Sequence, residues 1–238
     1  SGGMTTETSA WMARYTRELY EGLEEETGLS TGFRPIGYVQ TGASPDRIDK
    51  LRREADFLRI MGIDRHEISP REVKELWPIV DTSDLIAGFY TPEEGQADPA
   101  NCAMSLAKGA RMAGVKVIED TAVTGFRLAN GRVRAVHTTG GDIECEYVVN
   151  CGGMWARQLG EMAGVAVPLQ AAEHAYLITD QIPDLPDSMP VLEDPDRYAY
   201  YRGEAGGVMV GLFEPLAAPW MVDEIPNDFS FGEIPNDW

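Results

Sequence analysis

The chain has 238 residues, of which 43% are hydrophobic, and a formal net charge of -19 at pH 7. This length suits one large domain or two small ones with a real core. The negative charge repels phosphate backbones and anionic lipids, so it disfavours nucleic-acid binding and docking to a membrane surface. No apolar run in the sequence is long enough to cross a bilayer.

Three cysteines are present, an odd number with no C-x-x-C pair: Cys102, Cys145 and Cys151. Neither a disulfide framework nor a zinc site is indicated by this spacing. We therefore expect a reducing compartment, which is the cytoplasm in a bacterium or the mitochondrial matrix in a eukaryote.

The first half of the chain predicts four helices and two strands. Ser44-Pro45 and Asp98-Pro99 each place a capping residue directly before a proline, an order typical of helix starts. Gly28 ends the first helical pattern. The predicted helices are residues 5–26, 45–61, 70–76 and 99–113, and the predicted strands are 33–40 and 85–90.

The second half predicts mainly strands. Asn130-Gly131 is a strong hairpin signal between two of them. The proline-rich and aspartate-rich segment 182–195 is predicted to be a surface loop. The predicted strands are residues 115–118, 121–127, 132–139, 143–150, 170–179, 198–202 and 208–212, with one helix ending at about residue 163.

The segment from Tyr147 to Ala156 is the most informative local pattern. It predicts a buried strand that stops at Gly152-Gly153 and restarts as a helix. Two glycines let a backbone pass close to a bulky ligand, and the free N–H groups at a helix start favour anionic or electron-rich groups. On spacing alone, a cofactor site and an ordinary tight strand-to-helix connection fit equally well.

Six segments in order carry a family resemblance. They resemble the dimethylglycine and sarcosine dehydrogenases of the D-amino-acid-oxidase-like flavoprotein superfamily, and they cover nearly the whole chain. The segments are Gly95–Pro99, Thr121–Phe126, Val149–Ala156, Ala172–Thr179, Tyr200–Arg202 and Gly211–Pro215.

The resemblance implies an α+β fold with a substrate domain built on an antiparallel sheet and part of an FAD-binding domain. The expected substrate domain comprises residues 1–97 and 166–222, and the expected partial FAD domain comprises residues 98–165. A tail is expected at 223–238. The Gly-x-Gly-x-x-Gly motif that holds FAD in the family, and the histidine that often bonds to the flavin, do not occur in this sequence. We therefore expect the chain to be a middle portion of a longer protein.

The resemblance also implies which residues contact the cofactor. Val123 matches a strand end whose backbone contacts the adenine ring. Cys151, Gly152, Gly153 and Trp155 match the second contact, where helix and backbone approach the dinucleotide. The alternative for Val123 is an ordinary core valine, because side-chain identity does not separate the two. Tetrahydrofolate is a second expected cofactor, bound through a C-terminal region of the family that this chain does not contain.

The resemblance implies that His174 and Tyr200 match a histidine and a tyrosine that line the substrate side of the flavin. The alternative for His174, which alternates with apolar neighbours in a predicted strand, is a hydrogen-bonded core histidine. A histidine near neutral pKa accepts or relays a proton, and a tyrosine hydroxyl orients an amine or carboxylate without adding fixed charge. Arg202 is expected either to clamp a substrate carboxylate or to form a surface ion pair, which contributes little to stability. Tyr176 and Tyr201 are weaker substrate candidates, because alternation along a strand turns one of each tyrosine pair away from a shared pocket.

The function implied by the resemblance is FAD-dependent oxidative demethylation of an N-methylated glycine, either dimethylglycine or sarcosine. The expected partner is therefore a small N-methylated amino acid, with no nucleic acid and no membrane. The sequence does not indicate the electron acceptor. Two alternatives stay open: a related flavoenzyme acting on a hydroxy acid or another amino acid, and a noncatalytic binding or scaffold module that keeps the substrate-domain fold.

Overall fold

The computed structural model describes residues 6–221 and, beyond them, Asp223, Ile225, Pro226 and Phe229. The tail predicted at 223–238 lies largely outside the described residues. The helices are α1 (Glu7–Thr27), α2 (Pro45–Ile60), α3 (Pro70–Leu76), α4 (Pro99–Met112) and α5 (Ala156–Met162). The strands are β1 (Tyr38–Gly42), β2 (His66–Ile68), β3 (Ala87–Thr91), β4 (Val123–Ala129), β5 (Arg132–Thr138), β6 (Gly141–Glu144), β7 (Tyr176–Ile178), β8 (Val191–Asp194), β9 (Ala199–Glu204) and β10 (Gly207–Leu212).

The chain divides into two compact units. Unit 1 comprises residues 1–116 and 175–215, and unit 2 comprises residues 117–174 and 216–238, each within the described part of the chain. The predicted domains assign residues to substrate binding or to FAD binding. The division into compact units does not test that assignment, so it stays a prediction. The predicted α+β class with an antiparallel-rich sheet is confirmed.

Unit 1 is built on a seven-stranded sheet in the order β2-β3-β1-β8-β9-β10-β7. All neighbouring strands are antiparallel except β1 and β8, which run parallel. Because side chains alternate along a strand, residues in register share one face of the sheet. We call one face the front face; one row of it comprises Phe89, Gln40, Glu193, Tyr200, Gly211 and Tyr176.

The opposite face, the back face, carries the larger core. Val39 and Leu192 of this face are buried and pack with Val73 of α3 and with Trp77, which directly follows the helix. The Trp77 indole N–H donates to the carbonyl of Pro190 at 2.8 Å, so this buried ring also satisfies its polar atom. The helix α3 is thereby fixed against the middle of the sheet.

A second core covers one end of the front face. Ile48, Leu51 and Ala55 of α2 pack against Ala87 and Phe89 of β3. These three helical residues recur at spacings of three and four, which places them on one side of α2. This core covers the β3 end of the front face and does not include residues of β8, β9 or β10.

The helix starts are confirmed and have local causes. Thr6 and Ser69 each form a reciprocal capping box with the third residue of their helices. Ser44 and Asp98 cap helices whose first turn contains proline. Gly28 ends α1 in the left-handed conformation, with φ of 70°.

The predicted surface loop at 182–195 is wrong in its last part, because it contains β8. Leu192 is 2% exposed and Met189 is 1% exposed. Pro190 and Pro195 lie directly outside the strand, so neither removes a donor from its ladder. A four-residue strand between two prolines is too short to show a period, and its proline-rich and aspartate-rich surroundings dominated the sequence pattern.

Four other predicted strands need correction. Residues 115–118 and 147–150 form no strand, and Tyr147 and Val149 are 81% and 83% exposed. The strand predicted at 170–179 is reduced to Tyr176–Ile178. Apolar composition suited these segments to a buried strand, but within the described residues 115–118 and 147–150 are not paired with a neighbouring strand. The strand predicted at 33–40 begins only at Tyr38.

Unit 2 contains a three-stranded antiparallel sheet in the order β4-β5-β6. The predicted hairpin turn is confirmed: Asn130 and Gly131 both have positive φ, of 54° and 71°. Two consecutive positive φ values match the twist of a two-residue hairpin, which explains this residue pair. Among the described residues, no helix is long and apolar enough to cross a bilayer.

Candidate functional site

Tyr200 lies on the front face of unit 1, where its ring packs over a glycine of the neighbouring strand. Its register partner on β10 is Gly211, and Gly211 pairs in turn with Tyr176 on β7. A Cβ added at Gly211 would lie 2.0 Å from the Tyr200 ring, so the ring occupies the space that a side chain would need. Phe213 supports the ring from a centroid distance of 5.1 Å. The half-buried Tyr200 is thus positioned by packing.

Arg202 lies on the same face, two residues along β9. One guanidinium nitrogen, Nη2, binds Glu204 Oε2 at 2.9 Å, and the side chain is about one third exposed. Its Nε is buried and has no hydrogen-bond partner among the described residues. An unsatisfied charged donor is costly. Arg202 is therefore a cation on the front face that has one carboxylate partner and one donor unpaired among the described residues.

Tyr201 is not brought together with Tyr200. It lies on the back face, where its ring is 6.3 Å from the Trp77 ring. Burial raises the pKa of its hydroxyl, and the nearby charge of Asp194 acts in the same direction. Of the two tyrosines, Tyr201 is the one that strand alternation turns away from the front face. Its contact with substrate stays a prediction, which the residues of the front face do not support.

A polar network that the sequence analysis missed lies in the same row of the front face. The Tyr38 hydroxyl donates to Glu193 Oε2, and the Gln40 amide donates to Glu193 Oε1 at 3.1 Å. The guanidinium of Arg65 donates to the Gln40 carbonyl oxygen. Burial raises the pKa of Tyr38, and the charge of Glu193 adds to this effect. Its members lie up to 155 residues apart, so only strand pairing reveals it.

The glycine pair of unit 2 forms a tight bend before α5. Asn150 fixes it by accepting from the Gly152 N–H at 3.1 Å and donating to the Ala156 carbonyl at 2.9 Å. A Cβ at Gly152 would lie 2.5 Å from the Leu159 side chain. The space beside this glycine is therefore filled by Leu159 of the same unit. Gly153 differs, because its φ is +54° and its Cβ position is open.

Of the two glycines, Gly153 is therefore the one that leaves open space beside the backbone, and the cofactor contact of the bend stays a prediction. Cys151 is exposed, Trp155 is half-buried in a 3-10 turn, and Val123 begins the edge strand β4. One backbone edge of β4 is therefore unpaired within the described sheet. Within the described residues, no cluster of histidine, cysteine and acidic side chains suits a metal ion.

His174 belongs to unit 2 and is exposed. The strand alternation expected for it is absent, because β7 begins only at Tyr176. Within unit 1, Tyr176, Tyr200 and Arg202 lie on one face, and the role of His174 stays a prediction.

A family model described as DAO, FAD dependent oxidoreductase, matches residues 1–231. The chain belongs to this family. The predicted resemblance is thereby confirmed, and FAD is the cofactor that defines the family.

Relatives of this DAO-family chain include dehydrogenases of methylated glycines and a regulatory subunit. It is 38% identical to mitochondrial sarcosine dehydrogenase of Mus musculus, over 91% of this chain and 24% of that protein. It is 33% identical to mitochondrial dimethylglycine dehydrogenase of Rattus norvegicus, over 89% and 26%. It is 36% identical to the mitochondrial pyruvate dehydrogenase phosphatase regulatory subunit of Mus musculus, over 95% and 26%.

Among solved structures, L-proline dehydrogenase from P. horikoshii matches with a TM-score of 0.80 and 28% identity, over 89% of this chain and 57% of that one. The DAO-family chain spans about a quarter of the length of the curated relatives reported above.

Proposed function

We propose that this chain is the middle portion of an FAD-dependent amine oxidoreductase that oxidatively demethylates an N-methylated glycine, dimethylglycine or sarcosine. The dehydrogenase relatives support the substrate class by their names. The observation that carries the proposal is the front face of unit 1, where the seated ring of Tyr200 lies beside Arg202 with its unsatisfied Nε. A small amino acid offers a carboxylate for the arginine and an amine for the hydroxyl.

In this proposal each residue of the site has a separate role. Arg202 binds the substrate carboxylate, and Tyr200 orients the amine without adding charge. His174 accepts or relays the proton that the amine must lose before oxidation. Tyr176, in the same row as Tyr200, borders the substrate. When bound, FAD supplies the two-electron oxidation of the N-methyl carbon.

The flavin contacts proposed for this chain are partial. Gly153, with its open Cβ position, would let the backbone approach the dinucleotide, and Val123 would offer the free edge of β4. Cys151 and Trp155 flank this approach. Tetrahydrofolate, bound outside this chain, is proposed as the acceptor of the one-carbon unit.

The test is turnover by the flavin-loaded protein translated from the complete reading frame. We expect activity on dimethylglycine or sarcosine to exceed that on L-proline and on 2-hydroxyglutarate. Tyr200→Phe and His174→Ala should each lower kcat/KM, by at least about tenfold. Tyr201→Phe is the matched comparison, because it makes the same change at the adjacent residue on the opposite face. Equal losses at both tyrosines would contradict the assignment of the front face.

A noncatalytic function is the second candidate, because one relative is a regulatory subunit by name. The same preparation distinguishes the two. Stoichiometric FAD with no turnover of any of the four compounds would favour the noncatalytic module, whereas reduction of the flavin by dimethylglycine or sarcosine would exclude it.

A further inference from the structure

Glu193 lies near the middle of the front face in β8. Its register partners are Gln40 of β1 on one side and Tyr200 of β9 on the other. Residues directly opposite in an antiparallel pair have Cβ atoms about 5 Å apart. Glu193 therefore lies directly opposite the tyrosine that we propose to contact the substrate, and its carboxylate is bonded on the β1 side of the row.

The carboxylate of Glu193 is held by neutral donors. Tyr38 and Gln40 each give it one hydrogen bond, and the cationic Arg65 reaches the Gln40 oxygen instead of Glu193. In the described part of the chain, Glu193 makes no ion pair. A carboxylate accepts about four hydrogen bonds, so two of its acceptor positions are still open. Its negative charge is positioned by the network, in which the buried Arg65 bonds Gln40 and not Glu193 itself.

The front face thus presents two separated charges around Tyr200. Glu193 supplies a negative charge across the strand pair, and Arg202, which also pairs with Glu204, supplies a positive charge two residues along β9. The Nε of Arg202 lacks a partner, as shown above. A zwitterionic amino acid carries the complementary pair, an ammonium and a carboxylate, on neighbouring atoms.

We infer that Glu193 is a specificity-determining residue that binds the ammonium group of a zwitterionic amine substrate, while Arg202 binds its carboxylate. This inference rests on the proposed function and adds a residue to it. The ligand class is a secondary or tertiary amino acid in its charged form. A neutral or purely anionic compound of the same shape would gain nothing from Glu193.

The competing role for Glu193 is structural, since its hydrogen bonds join β1 to β8. The two roles differ in what they do to ligands. A structural role would weaken every ligand of the face, whereas ammonium recognition weakens only ligands that carry a positive charge. Sarcosine and methoxyacetate form a matched pair, because methoxyacetate replaces the amine nitrogen with an ether oxygen and keeps the carboxylate.

The experiment compares wild type with Glu193→Gln in the flavin-loaded protein from the complete reading frame. We expect the KM for sarcosine or dimethylglycine to rise at least about tenfold. The inhibition constant of methoxyacetate should stay within about twofold of wild type or fall, because removing the negative charge does not weaken the binding of an anion. A parallel loss for both compounds would overturn the inference.

The pH profile of kcat provides a readout that a structural role would not move. A neighbouring carboxylate favours the protonated amine, so Glu193→Gln should lower the pKa of the bound amine and shift the rise of kcat to lower pH. The other charged or titratable groups of the network and of the adjacent part of the front face are all retained in the variant; they are Tyr38, Arg65, Glu94, Tyr200, Arg202 and Glu204. An unmoved profile together with an unchanged KM would overturn the inference.

Two further variants keep the outcome interpretable. Glu67→Gln makes the same change in the edge strand β2, where Glu67 pairs with Arg52 at the surface, and it should behave as wild type. Glu193→Asp keeps the charge and should retain more affinity for sarcosine than Glu193→Gln does. It also replaces Glu193→Gln as the test variant if that protein fails to fold, with a rise in KM for sarcosine but not in the inhibition constant of methoxyacetate as the supporting result.

The failure of this inference can be told apart from failure of the proposed function. Wild type that oxidises dimethylglycine or sarcosine, with Glu193→Gln indistinguishable from it, contradicts the inference alone. Wild type that oxidises none of the amines contradicts the proposed function. In that case calorimetric binding of sarcosine and methoxyacetate to both proteins still decides the role of Glu193: equal affinities in the two proteins would overturn the inference.

Discussion

The two sheets bury their residues very differently. All five residues of β1 in unit 1 are buried, whereas all four residues of β6 in unit 2 are exposed. Both faces of the unit 1 sheet carry helical cover, from α2 on the front and α3 on the back. In unit 2, Tyr147 and Val149 have apolar side chains more than 80% exposed.

This difference shows that apolar composition and burial are separate properties of a segment. A strand becomes buried only when neighbours pair with its edges and cover its faces. Unit 1 obtains those neighbours from segments up to 155 residues apart, whereas residues 147–150 have none in the described chain. Exposed apolar segments of this kind are typical of interaction surfaces.

The largest expected effect is on the core of unit 1. Trp77→Ala should lower the free energy of unfolding by about 3–5 kcal/mol, because it removes a 2% exposed ring and leaves a cavity. Tyr147→Ala removes a ring that is 81% exposed and should change stability by about 0.5 kcal/mol or less. Urea unfolding of the two variants measures both. Comparable losses of stability in the two variants would show that the Tyr147 ring is buried in solution, and would contradict the difference in burial between the two units.

The two glycines offer a second contrast between the units. Gly211→Ala should cost about 1–3 kcal/mol, because its Cβ would lie 2.0 Å from the Tyr200 ring and displace it. Gly153→Ala should cost about 1 kcal/mol, since it meets no atom but keeps a φ of +54°. Thermal unfolding ranks the two variants. A larger loss at Gly153 would mean that its open side is filled by the protein itself.

The predictable part of the fold is the part with local causes. Ser44-Pro45 and Asp98-Pro99 mark helix starts because a cap and a proline act within one turn. Asn130-Gly131 marks its turn because both residues accept positive φ. Strand β8 was missed, since its burial depends on pairing with β1, about 150 residues away in sequence.

The candidate site divides in the same way. Tyr200 and Arg202 were predicted through the family resemblance, and the front face places them together. Glu193, Tyr38 and Gln40 were missed, because a polar residue inside a short strand gives no signal of its own. Only the register of β1, β8 and β9 reveals that they border Tyr200.

The buried hydroxyl of Tyr38 predicts a pH dependence for unit 1. Its pKa is raised above the ordinary value of 10.0, so the folded chain holds this proton more tightly than the unfolded chain. The contribution to stability is complete below about pH 10 and is lost as the pH rises further. Tyr38→Phe should flatten the fall in stability above about pH 10 in urea titrations. The same change at the exposed Tyr147 should leave the fall unaltered, and an unaltered fall in Tyr38→Phe would contradict the burial of this hydroxyl.

The smallest expected effect concerns how helices begin in the two units. Helix α3 of unit 1 starts with a capping box in which Ser69 and Glu72 exchange hydrogen bonds, whereas α5 of unit 2 has no side-chain cap at Trp155. Ser69→Ala should lower the free energy of unfolding by about 1 kcal/mol, because the backbone N–H of Glu72 in the first turn of α3 loses its hydrogen-bond acceptor. Ser69→Thr keeps the hydroxyl and should retain most of that stability. Since α3 carries Trp77 at its end, a loss well above this value would show that the start of the helix and the back-face core unfold as one element.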